Sequence, residues 1–382
     1  MAAIQAARGG AAVTLLEQNR KPGRKLLVTG NGKCNLTNTE AEDDSFRGSH
    51  PEFAEKVLRE FSVQDTISFF LGIGIYTVNR DGWVYPYNEQ SASVLKSLLG
   101  EAERLRVKVK NSEKVRGIRK DGSVFRVRTD GWEYESERVI LCCGSSASEV
   151  EGSDGSGYAL AESLGHTVVP VVPALTYLVC LLQKEAVWNG VRVTAEAALF
   201  TDGKEACRRR GQLQLTDTGI SGIPAFQLSR YASRALAEGK SCEIRIHFMP
   251  DFTREGLTAF LGAMKEKTPG RTLEECTDGL FQEKLSAVFR PFCRDESTLA
   301  QAVSDYRLPV TGTGPLSRSQ AASGGVDTSE VSPETMESHL VKGLHFGGEL
   351  LDVDGDCGGY NLQWAWSTGA LAGRAAAEGE KI

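Results

Sequence analysis

Glycine accounts for 41 of the 382 residues, well above the usual ~7%, and it is concentrated at 30–32, 152–157, 312–325 and 347–359. Closely spaced glycines adopt left-handed backbone conformations without penalty and let backbone N–H groups approach a bound anion. The clusters therefore mark where the chain turns tightly and where a ligand could touch the main chain. A chain of this length has room for two or three domains and a full core, which excludes a disulfide-stapled miniprotein. Its 41% hydrophobic and 25% charged content fits neither a disordered nor a fibrous protein.

The formal net charge is −6, so the chain offers no general attraction to nucleic acid or anionic lipid. Arg208-Arg209-Arg210 is the one dense basic run and reads as a solvated loop. Nine cysteines show no C-x-x-C spacing, and the five histidines form no H-x-x-x-H pair, so reduced thiols are expected and no metal site. The N-terminus lacks the features of a signal peptide. The longest apolar stretch, 167–182, contains Pro170 and Pro173 and is too short to span a bilayer. These features predict a soluble cytoplasmic protein with a small-molecule substrate and neither nucleic acid nor membrane as partner. Oligomeric state is left open.

The opening reads as a small-residue helix from Met1 to Arg8, a Gly9-Gly10 turn and a buried parallel strand from Ala12 to Leu16 closed by Glu17. Such a helix normally crosses between two parallel strands, and no strand stands before this one. Residues 105–143 alternate apolar and polar positions, at Val107 and Val109, Val115 and Ile118, and Trp132 and Tyr134. With turns at Asp121-Gly122 and Asp130-Gly131 they predict a three-stranded antiparallel meander. The apolar run Val139 to Leu141 returns to a buried sheet. Residues 168–250 read as a β-rich insert and 253–307 as helical, with apolar faces at Leu257, Phe260, Leu261 and Met264, and at Phe281, Leu285, Val288 and Phe289. An alanine-rich helix is expected from about Leu362 to Glu378.

Several segments could carry chemistry. Glu17 ends a strand where a dinucleotide-binding fold places an acid on ribose hydroxyls; a solvated strand end is the alternative. Arg24 and Lys25 could balance a pyrophosphate. Gly30-Asn31-Gly32-Lys33-Cys34-Asn35 is either an anion-binding loop or a surface turn. In the run 347–363, Asp352, Asp354 and Asp356 alternate as in a calcium loop, but Cys357 and Gln363 occupy the places that need glycine and glutamate. A glycine turn opening onto a helix N-terminus fits better and suits a nucleotide or the negative N1–C2=O edge of a reduced flavin. Thr216 to Gly222 lacks the second glycine of a serine-hydrolase elbow, because Ile223 stands there. Cys34 and Cys357 lie in glycine loops, as redox thiols or as small packing residues.

Pro22-Gly23-Arg24-Lys25, the run from Gly30 to Asn38, Thr216 to Gly222, Gly324-Gly325-Val326 and Asp352 to Gln363 together resemble one family, the bacterial BaiN-like or YhiN-like flavoproteins. The likeness covers nearly the whole chain. It implies an α/β fold with a Rossmann-type FAD-binding domain of the glutathione-reductase kind, built from residues 1–167 (meander at 105–138) and 321–382. An insert domain would take 168–320, β-rich at 168–250 and 308–320 and helical at 251–307. Carried over, Glu17 would hold the adenosine ribose, and the backbone at Val115 would touch the adenine. Arg24, Lys25, Gly30, Asn31, Gly32, Lys33, Cys34 and Asn35 would lie along the FAD. Gly348 and Glu349 would sit near its ribityl and phosphate. Asp354 belongs to the same cofactor-binding block, and Gly359, Tyr360, Asn361, Leu362 and Gln363 would cap the isoalloxazine. The flavin would carry the redox chemistry while the protein orients it.

Two departures stand out. Cys142-Cys143-Gly144-Ser145 replaces the family's Ala-Thr-Gly-Gly, and Met1 aligns just past the family's first strand and G-x-G-x-x-G turn, which predicts an N-terminally truncated chain. The expected activity is FAD-dependent hydride transfer from NAD(P)H, as a transient co-substrate, to an unsaturated, enone or steroid-like or other small substrate. The alternatives are an oxygen-using amine oxidase and a non-catalytic fragment with weakened FAD binding. No residue is singled out as catalytic.

Overall fold

The computed structural model describes residues 1–40 and 45–378. The chain forms two compact units, Met1–Val171 with Ala321–Ile382, and Val172–Gln320.

In the first unit the helix Ala2–Arg8 leads into the strand Thr14–Glu17, which runs parallel to Lys108–Asn111 with Thr14 opposite Lys108 and Glu17 opposite Asn111. A second parallel pair joins Val139–Leu141 to Leu344–Phe346. The meander consists of Val115–Asp121, Val124–Thr129 and Glu133–Ser136. The run carrying Val107 and Val109 is not part of it. That run forms an edge strand with one covered face, and such a strand shows the same alternation as a meander strand. Thr14–Glu17 is also less buried than a central parallel strand should be: Thr14 is exposed and the other three are half-buried. Among the described residues it pairs on one edge only.

The core of this unit is organised by the C-terminal helix Tyr360–Ala377. Gln363, Trp364 and every residue from Trp366 to Gly373 are buried, so the helix is apolar nearly all round, as a core helix must be. Gly369 and Gly373 face the opening helix. A Cβ at Gly373 would lie 2.3 Å from the Ala2 carbonyl oxygen, and one at Gly369 would lie 3.2 Å from Met1 Cβ. Small residues one turn apart thus let two helix backbones approach closely. The segment beyond Thr328 is pinned by His166, whose Nδ1 lies 2.9 Å from Glu330 Oε2 and whose Nε2 lies 2.8 Å from Ser338 Oγ. Ser338 Oγ also accepts from the Leu340 and Val341 N–H groups. Its lone pairs are occupied, and the constellation is a buried anchor rather than a nucleophile.

The second unit is a closed six-stranded barrel, in spatial order Leu178–Cys180, Gly219–Ser221, Lys204–Leu215, Arg192–Thr201, Cys242–His247 and Tyr306–Thr313. Closure leaves no open edge. The region read as purely β-rich also contains a helix, Ile223–Ala237, started by Pro224 in its first turn. Its buried Ala225, Leu228, Ala232 and Ala235 recur at helical spacing, a pattern hidden by the small size of alanine. In the helix Arg254–Lys267, Leu257 and Leu261 are buried, with Phe260 and Met264 packed beside them. The arginine triplet lies in the strand Lys204–Leu215, not in a loop. Arg208 pairs with Glu196 and Glu205, and Arg210 with Asp251. No helix among the described residues is long and apolar enough to cross a membrane.

Two predictions follow from this packing. Gly373→Ala should cost about 1–3 kcal/mol through the clash with the Ala2 carbonyl. Gly100→Ala, in the helix Ser91–Arg104 with nothing within 4 Å of the added Cβ, should gain about 0.5–1 kcal/mol; urea unfolding measures both. The second prediction concerns Glu101, which accepts from Arg104 and from Arg8 on the opening helix. Arg104 first, then Arg8, holds its carboxyl at about 2, below the ordinary 4.5. A depressed carboxylate stabilises fully above its unfolded pKa and loses that contribution as pH falls through the folded one. Glu101→Gln should therefore cost about 1 kcal/mol at pH 7, and the gap from wild type should close between pH 4.5 and 2.

Candidate functional site

The predicted site residues all lie in the first unit and fall into three groups. The richest is a cradle of backbone between the turn at 29–34 and the start of the C-terminal helix. Gly30 and Asn31 both have positive φ, 55° and 53°, as does Cys34 at 59°, and these left-handed steps fold the loop back on itself. Opposite, Gly358 and Gly359 have φ of 127° and 99°. A Cβ on Gly359 would meet the Thr37 carbonyl at 2.7 Å and Asn35 Oδ1 at 2.8 Å, so only glycine allows this approach. The two sides are bonded by Thr37 Oγ1, which donates to Gln363 Oε1 at 2.6 Å. Asn361 clamps Gly355, accepting from its N–H and donating to its carbonyl. Asp354, on the short strand Asp354–Gly355 paired to Phe46–Arg47, is buried behind the cradle. Leu362 is half-buried on the first helical turn, and Tyr360 donates its hydroxyl to the Glu40 carbonyl.

No side chain caps the N-terminus of the C-terminal helix, which leaves its positive dipole end and first-turn N–H groups turned to the cradle. Asn35 is only 6% exposed, yet neither its Oδ1 nor its Nδ2 has a hydrogen-bond partner. Leaving buried polar atoms unpaired costs about 1–3 kcal/mol each. An amide in this state, against glycine backbone and a helix N-terminus, fits the polar edge of a planar heterocycle.

The second group is built on the helix Arg24–Val28 and the turn at Gly348–Leu350. Lys25 Nζ donates to Glu349 Oε2 at 2.6 Å and to the Ala147 carbonyl at 3.2 Å, and Glu349 Oε1 accepts from Ala322 N–H. Arg24 pairs with Glu151 at 2.9 Å, while its Nε is buried without a partner. Gly348 is held between Thr368 and Trp364. The Tyr158 hydroxyl is likewise buried and unpartnered, and burial, then Glu349 and Asp352, pushes its pKa upward. In the third group, Glu17 accepts from Asn19 N–H. Asn19 and Gln18 reach the carbonyls of Glu151 and Gly152, and Val115 opens the meander close by in sequence to Glu113, whose N–H bonds Glu17 O. Orphaned buried polar atoms thus occur in two of the three groups that an extended dinucleotide would have to link.

Both loop thiols are shielded. Burial raises Cys34 to about 11, and burial followed by Asp356 does the same to Cys357, so neither is a thiolate at neutral pH. Sequence reasoning missed one wall of the cradle, the strand Trp83–Pro86. Its alternation buries Val84 and Pro86 and leaves Trp83 and Tyr85 on the other face. There Trp83 stands 3.2 Å from where a Gly358 Cβ would be, and Tyr85 stands 3.7 Å from that of Gly30. Two aromatics at alternate positions were the available signal.

The chain matches the HI0933-like protein Rossmann domain over residues 1–375. It is 42% identical to the 3-dehydro-bile acid delta(4,6)-reductase of Clostridium scindens, over 99% of this chain and 96% of that protein. It is 28% identical to the ribosomal RNA dihydrouridine synthase of Escherichia coli, over 95% of this chain and 91% of the other. Among solved structures, the 3-ketosteroid-delta4-(5alpha)-dehydrogenase of Rhodococcus jostii aligns over 99% of this chain and 94% of its own, with a TM-score of 0.47 and 15% identity. A Rossmann-type FAD-binding protein is therefore the class, and its enzymatic character is that of an FAD-dependent oxidoreductase. The chain belongs to the HI0933-like family.

Asn35→Ala separates ligand binding from folding. Removing two unsatisfied buried atoms should leave the apoprotein as stable as wild type or about 1 kcal/mol more stable. FAD affinity, followed by flavin fluorescence quenching, should fall at least about tenfold, the equivalent of one lost hydrogen bond. Unchanged affinity would show that the amide does not face the flavin.

Proposed function

We propose that this enzyme saturates a carbon–carbon double bond conjugated to a ketone in a steroid-like substrate, using electrons that enter from NAD(P)H. The observation that carries this reading is the 42% identity, spanning both chains almost end to end, to a reductase of 3-dehydro-bile acids. The residues present fit an FAD. Asn35, the glycine backbone at 30–32 and 358–359, and the uncapped helix start at Tyr360 would hold the isoalloxazine edge. Arg24, Lys25, Gly348 and Glu349 would flank the middle of the cofactor, and Glu17 and Val115 the adenosine. When bound, FAD supplies the two-electron carrier. The protein's part is to orient it, to keep the surrounding thiols neutral and to present a proton source.

A second reading has its own support, since two relatives at 28% identity are ribosomal RNA dihydrouridine synthases. Dihydrouridine differs from uridine by two hydrogens across a double bond conjugated to a carbonyl, so the chemistry is of one kind. The net charge of −6 and the pairing of Arg208 and Arg210 with carboxylates weigh against an RNA substrate. These features favour a small molecule.

The test is to add FAD to the purified protein, reduce it anaerobically with NADH or NADPH, and follow reoxidation by a 3-keto-4-ene steroid, by unmodified ribosomal RNA and by oxygen with an amine. Bleaching by a nicotinamide and recovery with the steroid is the expected result. Reduction by an amine with peroxide release would instead establish an oxidase, and recovery with RNA alone would establish the second reading.

A further inference from the structure

We propose that Tyr85 is the proton donor of this reduction. The inference rests on the reading of the protein as a reductase of conjugated double bonds and adds the residue that completes the chemistry.

Tyr85 lies on the strand Trp83–Pro86, between Thr37–Asn38 on one side and Thr77–Arg80 on the other. Thr37 opposite Val84 and Val78 opposite Tyr85 fix its register. With side chains alternating between faces, burial of Val84 and Pro86 commits Trp83 and Tyr85 to the opposite face. That face meets the cradle, with the Tyr85 ring edge beside Gly30 and the Trp83 ring beside Gly358. The orphaned Asn35 amide marks the same cradle as a place where a polar ligand belongs.

The other O–H and S–H groups nearby are committed or shut away. Cys34 is wholly buried, Tyr360 donates to Glu40, Thr37 donates to Gln363, and Tyr158 is buried near Glu349 rather than at the cradle. Tyr85 is half-buried, and its hydroxyl has no hydrogen-bond partner among the described residues. Three groups face it. Cys357 and Glu89 disfavour the phenolate, Arg80 favours it, and Glu89 is itself paired with Lys33 and Arg80. Burial is the largest influence and keeps the phenol protonated at neutral pH.

The step balances with reduced flavin as the reductant. When bound, the reduced cofactor would supply a hydride, two electrons and a proton, to the β-carbon of the conjugated bond, where a C–H bond would form as the π bond breaks. The π pair passes to the α-carbon and the carbonyl oxygen. The Tyr85 O–H bond then breaks, its proton forms the second C–H bond at the α-carbon, and the phenolate recovers a proton from water. Arg80 stabilises the phenolate in the interval. Positioned general acids contribute about 10²–10⁴-fold in rate.

The test is Tyr85→Phe, which removes only an unpartnered hydroxyl and should leave folding, FAD affinity and nicotinamide-driven bleaching unchanged. Reoxidation of the reduced flavin by the steroid enone should slow at least ~100-fold, while reoxidation by oxygen keeps its rate. Wild type in D2O should place deuterium at the α-carbon. Independently of turnover, ultraviolet titration of the apoprotein should show that the variant lacks one phenolate whose midpoint lies above 10. An unchanged rate with enone in the variant, or loss of a phenolate with a midpoint at or below 10, overturns the proposal while leaving the functional reading intact. A wild-type flavin that no enone reoxidises overturns both.

Discussion

The C-terminal helix Tyr360–Ala377 is the interaction on which the first unit depends, because its buried polar groups hold loops that have no regular structure of their own. Trp366 Nε1 donates to the Leu36 carbonyl, and Ser367 Oγ to that of Phe61. Thr368 accepts from Gly348 N–H while Trp364 donates to the Gly348 carbonyl. Gln363 takes the Thr37 hydroxyl and passes a hydrogen bond on to Ser367. The bonds to Leu36, Phe61 and Thr37 join segments about 300 residues apart and are buried, so breaking one strands a polar atom. The helix that fixes the 35–38 and 348 backbones also carries an uncapped N-terminus beside Asn35 and Thr37. Structural support and ligand-binding potential are two ends of one element.

That arrangement makes the distribution of satisfied and unsatisfied polar atoms informative. At the His166 anchor the accounting is complete: His166, Glu330 and Ser338 satisfy one another and two backbone N–H groups, whereas Thr66 Oγ1, Arg126 Nε and Thr328 Oγ1 are buried without hydrogen-bond partners elsewhere. Beside the cradle and its neighbouring loop, the Asn35 amide, the Arg24 Nε and the Tyr158 hydroxyl are left without partners. Protein interiors rarely tolerate such atoms. Four of the seven such atoms found among the described residues belong to Arg24, Asn35 and Tyr158, which adds polar atoms seeking a partner to the glycine content of those segments.

Motifs whose meaning is local were readable from the sequence. The glycine turn before a long small-residue helix, the short parallel strand closed by Glu17, and the turns of the meander each depend on residues a few places apart. What escaped depends on partners far along the chain. Val107 and Val109 alternate like a meander strand because an edge strand is covered on one face, and only pairing with Thr14–Glu17 distinguishes the two. The helix Ile223–Ala237 hides its core face behind alanines. Lys25 and Glu349, both read as lying along a cofactor, meet each other, which no spacing could reveal across so much intervening chain. Trp83 and Tyr85 were passed over because an aromatic at an alternate strand position reads as core until the glycines opposite it are known.

The pairing of the cations sharpens what the site can attract. Lys25 is joined to Glu349, Arg24 to Glu151, Lys33 and Arg80 to Glu89, and Arg47 to Asp356. Each of these five cations has a carboxylate partner, with Lys33 and Arg80 sharing one, and the backbone adds further positive character at the cradle: the glycine N–H groups and the end of the C-terminal helix. Such dipoles act at short range and direction, and they suit charge delocalised on the edge of a planar ring more than the dense charge of a polyphosphate backbone. An RNA strand would draw affinity from unpaired lysines and arginines releasing counterions, and the cations around this cradle are already engaged. A flat, largely neutral substrate of the kind proposed above would require none of them.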